Sequence, residues 1–139
     1  METPTISRRQ ARRDAMVILY QRDIAGAVLS ELYDSLEKDR GYPPAEFTRE
    51  DVEGVIGVME ELDSAIDLVS EGWPAHRMAA LERNIIRLAV FEMKNRDDIP
   101  TEVSIDEAVE LAKRYCSREA GALVNGILGK IATEARDNE

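Results

Sequence analysis

Residues 82–93 read ERNIIRLAVFEM, and this stretch decides the fold. Ile85, Ile86, Leu88, Ala89, Val90, Phe91 and Met93 leave a helix apolar on nearly every side. Such a helix is central and buried, because no face of it is suited to water. The sequence around it reads as the helices that do the burying. Ser7 with Gln10 forms a capping-box pattern, after which Ala11, Ala15, Ile18 and Leu19 share one face of a helix over 8–25. A second helix is expected from Val28 to Lys38 and is interrupted by GYPP at 41–44. A third is expected to start at Thr48, with Asp51, and to run unbroken to Val69. EGWP at 71–74 ends it, Gly72 suiting a C-cap and Pro74 being unable to continue. A short helix follows Pro74, then the central one, closed by RDDIP at 96–100. Ser104 and Glu107 read as a capping box opening the next helix, and Ser117 precedes the last. No strand pattern, repeat or low-complexity tract is present. The reading is an all-α bundle of about seven helices.

Composition agrees. At 139 residues the chain is one domain by length, with 44% hydrophobic residues and few aromatics, a balance that favours helices over sheet. A single cysteine, Cys116, allows no internal disulfide and fits a reducing compartment. No apolar run approaches the ~20 residues needed to span a bilayer, and no secretory signal opens the chain. The expectation is a soluble cytoplasmic protein without a membrane role.

Enzyme signatures are absent. His76 and Cys116 stand alone, forty residues apart, and read as ordinary surface and semi-buried residues. NGILGKI at 125–131 is no phosphate loop, because Val124 and Ile131 stand where a glycine and a hydroxyl are required. Neither a metal site nor a cofactor is expected.

The charge distribution points elsewhere. The formal net charge is -10, yet four of the six residues at 8–13 are arginine. Cations in a first turn oppose the helix dipole. Arg8 with Arg12, and Arg9 with Arg13, are also like-charge pairs at i,i+4, which repel. Three readings stay open: a phosphate backbone, an acidic protein partner, and a merely solubilising helix start. Phosphates match best, since arginine offers a bidentate fork and counterion release adds affinity. On this reading the arginines contribute nothing to the fold, and their removal relieves repulsion. Near the other end, Lys113, Arg114 and Arg118 surround Tyr115, which reads equally as a stacking platform or as half-buried core. Gly121, Gly126 and Gly129 interrupt the last helix. Close helix packing is the expectation at 126 and 129, and ligand approach is an alternative near the helix start.

Taken in order, RRQARRDAMVILYQRD, RNIIRLAVFEM, DIPTEVSIDEAVELAKRY and LVNGILGKI resemble the NusB family of bacterial transcription antitermination factors, over roughly 8–23 and 73–132. The resemblance implies two small helical bundles packed across each other, in one domain with an N-terminal part at about 7–72 and a C-terminal part at about 74–136. It implies binding of boxA-type RNA together with the small-subunit ribosomal protein NusE, within antitermination complexes on RNA polymerase, notably on ribosomal RNA operons. By position it assigns Arg8, Arg9 and Arg12 to the RNA-contacting motif and Tyr115 to an aromatic near RNA. Arg13, Lys113, Arg114 and Arg118 join that surface, and Leu123 occupies a family RNA-facing position. Tyr20 and Glu82 fall on the ribosomal-protein face. Ala122, Leu123, Gly129 and Cys116 depart from the usual family residues, which weakens or alters the expected RNA binding. Two other readings remain: a helical protein-binding adaptor with weakened RNA binding, and the N-terminal domain of a ribosomal RNA cytosine methyltransferase if the chain is a fragment. Relatives of this fold are monomers or homodimers.

Overall fold

A computed structural model describes residues 5–137. Seven α-helices occupy them: α1 (Arg8–Ala25), α2 (Leu29–Arg40), α3 (Glu46–Gly57), α4 (Met59–Val69), α5 (Ala80–Asn95), α6 (Thr101–Tyr115) and α7 (Arg118–Asp137), with a 3₁₀ turn at Ala75–Arg77. No strand occurs among the described residues.

The apolar stretch at 82–93 is the axis of the molecule. α5 packs against α1, α3, α4, α6 and α7. Ile85, Ile86, Leu88, Ala89 and Val90 are all buried along it. One hydrophobic cluster runs from Ala15 and Ile18 of α1, through Val52, Val55, Leu62 and Ile66, to Ala112, Val124 and Leu128. α6 and α7 pack closely on each other and on α5, and α1 and α3 likewise pack on each other and on α5.

Caps follow the sequence at the two ends of the chain. The Ser7 hydroxyl accepts from the Gln10 backbone N–H at 3.1 Å, and the Ser117 hydroxyl accepts from that of Ala120 at 3.0 Å. Gly26 and Gly41 close α1 and α2 with φ of 64° and 82°, where a β-carbon would be strained.

Three expectations are corrected. Ser104 is no cap: α6 starts three residues earlier, after Pro100, and Ser104 lies inside it, buried, donating to Glu92. Thr48 likewise lies inside α3, its hydroxyl bonded to the Ala11 carbonyl of α1. The expected helix from Thr48 to Val69 is broken at Val58, after Gly57. The break lets α3 lean on α1 and α5 while α4 reaches α5 and α7, which one straight rod cannot do.

The glycines also divide otherwise than expected. A β-carbon at Gly126 or Gly129 meets nothing within 4 Å, so helix packing does not explain either, and nothing else in the structure does. The close approach is at Gly54 in α3, where the Phe91 ring of α5 fills the space that a β-carbon would need. At Gly121 it is the stem of Lys113 that comes close. Gly126→Ala should therefore stabilise the protein by up to about 1 kcal/mol through helix propensity. Gly54→Ala should destabilise it by about 1–3 kcal/mol despite the same gain, because the Phe91 ring must be displaced. Urea-unfolding midpoints of the two variants should move in opposite directions.

Candidate nucleic-acid interface

The start of α1 runs alongside α6, Arg9 reaching Glu107 and Arg13 reaching Tyr115, so the two basic stretches of the sequence meet. Arg13 donates to the Tyr115 hydroxyl at 2.6 Å, a contact across 102 positions of chain. The Arg13 and Arg114 guanidinium groups stand 5.7 and 5.8 Å from the centre of the Tyr115 ring. Arg9, Arg13, Arg114 and Tyr115 line one open cleft of about 190 Å3, with Glu107, Glu110 and Leu111.

Each arginine at 8–13 has an acidic partner, and three of the four lie far away in sequence. Arg8 pairs with Asp98 at 3.2 Å, both more than half exposed. Arg9 makes a two-pronged pair with Glu107, at 3.2 and 3.0 Å. Arg13 reaches Asp14 at 3.9 Å. Arg12 differs in kind, being 5% exposed, with its Nε bonded to both oxygens of the buried Glu92 at 3.1 and 3.0 Å. The repulsion read from local sequence is thus offset by tertiary partners. The expectation that the arginines contribute nothing to the fold fails at Arg12.

Around that pair lies a buried polar frame. Ser104 of α6 donates to Glu92, and Arg96 binds the fully buried Asp51 of α3 at 2.8 Å. Phe47 is flanked by the guanidinium groups of Arg96, Arg8 and Arg12, at 4.2, 5.0 and 5.1 Å from the ring centre. Burial, and then the neighbouring Glu92 carboxylate, push the Asp51 carboxyl up to about 8 against the pull of Arg96. Asp51 Oδ2 finds no donor among the described residues. The nearby Glu92 carboxylate favours a proton on Asp51.

The other sequence-selected residues are spread more widely. Arg114 and Lys113 are exposed on α6, the stem of Lys113 lying along Gly121 of α7, and Arg118 is exposed at the start of α7. Leu123 lines a different cleft, of about 270 Å3, with Val69, Trp73 and Ile127. Tyr20 and Glu82 are half-buried and flank the junction where Arg83 of α5 bonds to Asp23 of α1 at 2.9 Å. Burial and then the Glu82 charge push the Cys116 thiol up, which places Glu82 near the residue following Tyr115. Residues 29–71 hold 13 of the 28 acidic residues and 3 of the 18 basic ones, so the whole net charge of -10 falls on the α2–α4 side. Among the described residues no cluster of three or more metal-ligating side chains occurs, and no helix is long and apolar enough to cross a membrane.

The NusB family model matches residues 9–133, nearly the whole described chain. The chain belongs to the NusB family. It is 44% identical over 123 residues to the transcription antitermination protein NusB of Rubrobacter xylanophilus, covering 88% of each chain. Its fold superposes on T. maritima NusB with a TM-score of 0.83 at 35% identity, over 96% of this chain and 94% of that one. It superposes on a crystal structure of antitermination factors NusB and NusE in complex with dsRNA with a TM-score of 0.79 at 28% identity, over 91% and 96%.

The acidic half of the site in this NusB-family chain is hidden from sequence reading. Glu107 reads as a cap and is the partner of Arg9; Glu110 reads as solvated surface and lines the cleft. Glu92 carries a usable signal, a lone carboxylate within an otherwise apolar helix face. Arg87 carries the same signal, and it is clamped by Asp63 at two distances of 2.7 Å. Asp51 and Phe47 give none.

The two kinds of arginine should separate on mutation. Arg12→Ala should cost about 3–5 kcal/mol, because it strands the buried Glu92 charge. Arg8→Ala should cost under about 1 kcal/mol, its pair being exposed. Calorimetric unfolding of both variants checks this. The folded state also keeps a proton on Asp51 that the unfolded chain releases near pH ~4. That contribution to stability is complete below about pH 4 and is lost as pH rises through about 8. Asp51→Asn, neutral at every pH, should gain stability relative to wild type as pH is raised across this window. Denaturant titrations at acidic and alkaline pH give the comparison.

Proposed function

We propose that this chain is a transcription antitermination factor that binds boxA-type RNA together with the ribosomal protein NusE, as part of an antitermination complex on RNA polymerase in the cytoplasm. The observation that carries the reading is the single cleft in which Arg9 and Arg13 of α1 meet Arg114 and Tyr115 of α6. Guanidinium groups around an aromatic ring are suited to a backbone phosphate beside an unpaired base. The acidic α2–α4 side repels nucleic acid and so confines it to this face. The superposable structure that holds NusB, NusE and dsRNA supports the same reading.

In this proposal Arg8, Arg9 and Arg13 turn from their carboxylates to phosphates, an exchange that costs least at Arg8, where both partners are exposed, since Glu107 and Asp14 are themselves mostly buried. Arg12 acts from beneath, by fixing α1 against α5 through Glu92. Lys113, Arg118 and Leu123 extend the strand's path onto α7. Tyr20 and Glu82 form the face for NusE. The division of the chain into parts at about 7–72 and 74–136 belongs to the same proposal.

Arg9→Ala combined with Arg13→Ala should weaken binding of boxA RNA in the presence of NusE. It should also flatten the slope of log affinity against log salt by roughly 0.7 for each phosphate no longer bound, read by fluorescence anisotropy. An unchanged slope rejects the interface. Glu82→Lys should weaken NusE binding with little change in thermal midpoint, and equal binding of NusE by the reversed charge rejects that face.

A further inference from the structure

A surface built for phosphates has no use for a carboxylate without a counterion, yet this cleft holds one. Glu107 commits both oxygens to Arg9. Glu110, one turn further along α6, lines the same cleft and makes no hydrogen bond or ion pair among the described residues. It is exposed at the cleft, and its charge adds to the hold on Arg9 after that of Glu107. Arg114 lies one turn beyond it on the same helix and is turned over the Tyr115 ring instead.

We propose that Glu110 reads a base: its carboxylate accepts from the Watson–Crick edge of one guanine held against Tyr115 in this cleft. This rests on the nucleic-acid reading above and assigns the cleft its specificity. A carboxylate is an acceptor with two parallel sites, so it pairs best with two adjacent donors. Guanine alone among the four bases offers them, at N1–H and the N2 amino group. Adenine and cytosine present a single amino donor beside an acceptor, which a carboxylate repels, and uracil presents one N–H between two acceptors. The cleft has the room of one base. Tyr115 supplies a stacking face, held in place by the Arg13 hydrogen bond on its hydroxyl, and Leu111 supplies an apolar wall. The neighbouring arginines take the flanking phosphates and keep the strand there despite the negative charge. A charge that costs affinity for every polyanion then contributes selectivity for one base.

The test uses the full chain with NusE and a short oligouridine RNA carrying one guanosine, against the same RNA with inosine, which lacks the N2 amino group. Wild type should lose about tenfold in affinity on the change to inosine. Glu110→Gln should lose almost nothing on that change, with its salt slope and thermal midpoint unaltered. If inosine costs both proteins the same factor, or neither any, Glu110 reads no base and the inference falls while the nucleic-acid reading stands. If wild type with NusE binds neither of these RNAs nor a boxA RNA, the nucleic-acid reading itself falls and takes this inference with it; if it binds boxA RNA alone, only this inference falls.

Discussion

The buried pair between Arg12 and Glu92 is the constraint on which the rest of this structure depends. Two charges removed from water are costly unless every lone pair and proton finds a partner. The protein meets most of that demand with groups from three helices, Arg12 from α1, Glu92 from α5 and Ser104 from α6, while Arg12 Nη2 finds no partner among the described residues. A hydrophobic core fixes volume and is tolerant of sliding. A hydrogen-bonded charge is not, because a displacement of an ångström leaves it unpaired. The pair therefore sets the rotation of α1 about its axis. That rotation puts Arg9 and Arg13, each within one turn of Arg12, on the outer face toward α6.

On the proposed reading, one charged motif serves two purposes that its sequence does not separate. The RRQARR run alternates between solvent and interior as the helix turns, Arg8 and Arg9 outward, Arg12 inward. The acidic partners give the exposed members a defined resting state. Arg9 is itself well exposed in its pair with Glu107, a pair weaker than the buried one, so a phosphate can compete for the guanidinium. A bare cluster of cations would accept any polyanion. Cations already neutralised release their partners only where a ligand supplies geometry as well as charge, which favours selectivity over raw attraction.

The acidic surplus is placed consistently with this. It falls on residues 29–71, which span α2–α4, while the rest of the chain sums to zero, so the protein is not uniformly negative. On the proposed reading, long-range repulsion orients an approaching strand while the cleft residues decide what stays.

Helix content, the buried axis at residues 82–93 and the caps at Ser7 and Ser117 were determined by the sequence itself. They depend on periodicity and on side chains acting within a few residues, and both are local. The meeting of Arg13 with Tyr115, the splitting of the third helix at Val58 and the acidic partners of Arg8, Arg9 and Arg12 were decided by tertiary structure. The reason is one of range. A cation's nearest sequence neighbours say whether its helix is strained, but its counterion stands across an interface 80 to 98 positions away, at Glu92, Asp98 or Glu107. Gly54 makes the same point in steric terms: its need for glycine comes from a Phe91 ring on another helix, and no local pattern encodes that contact.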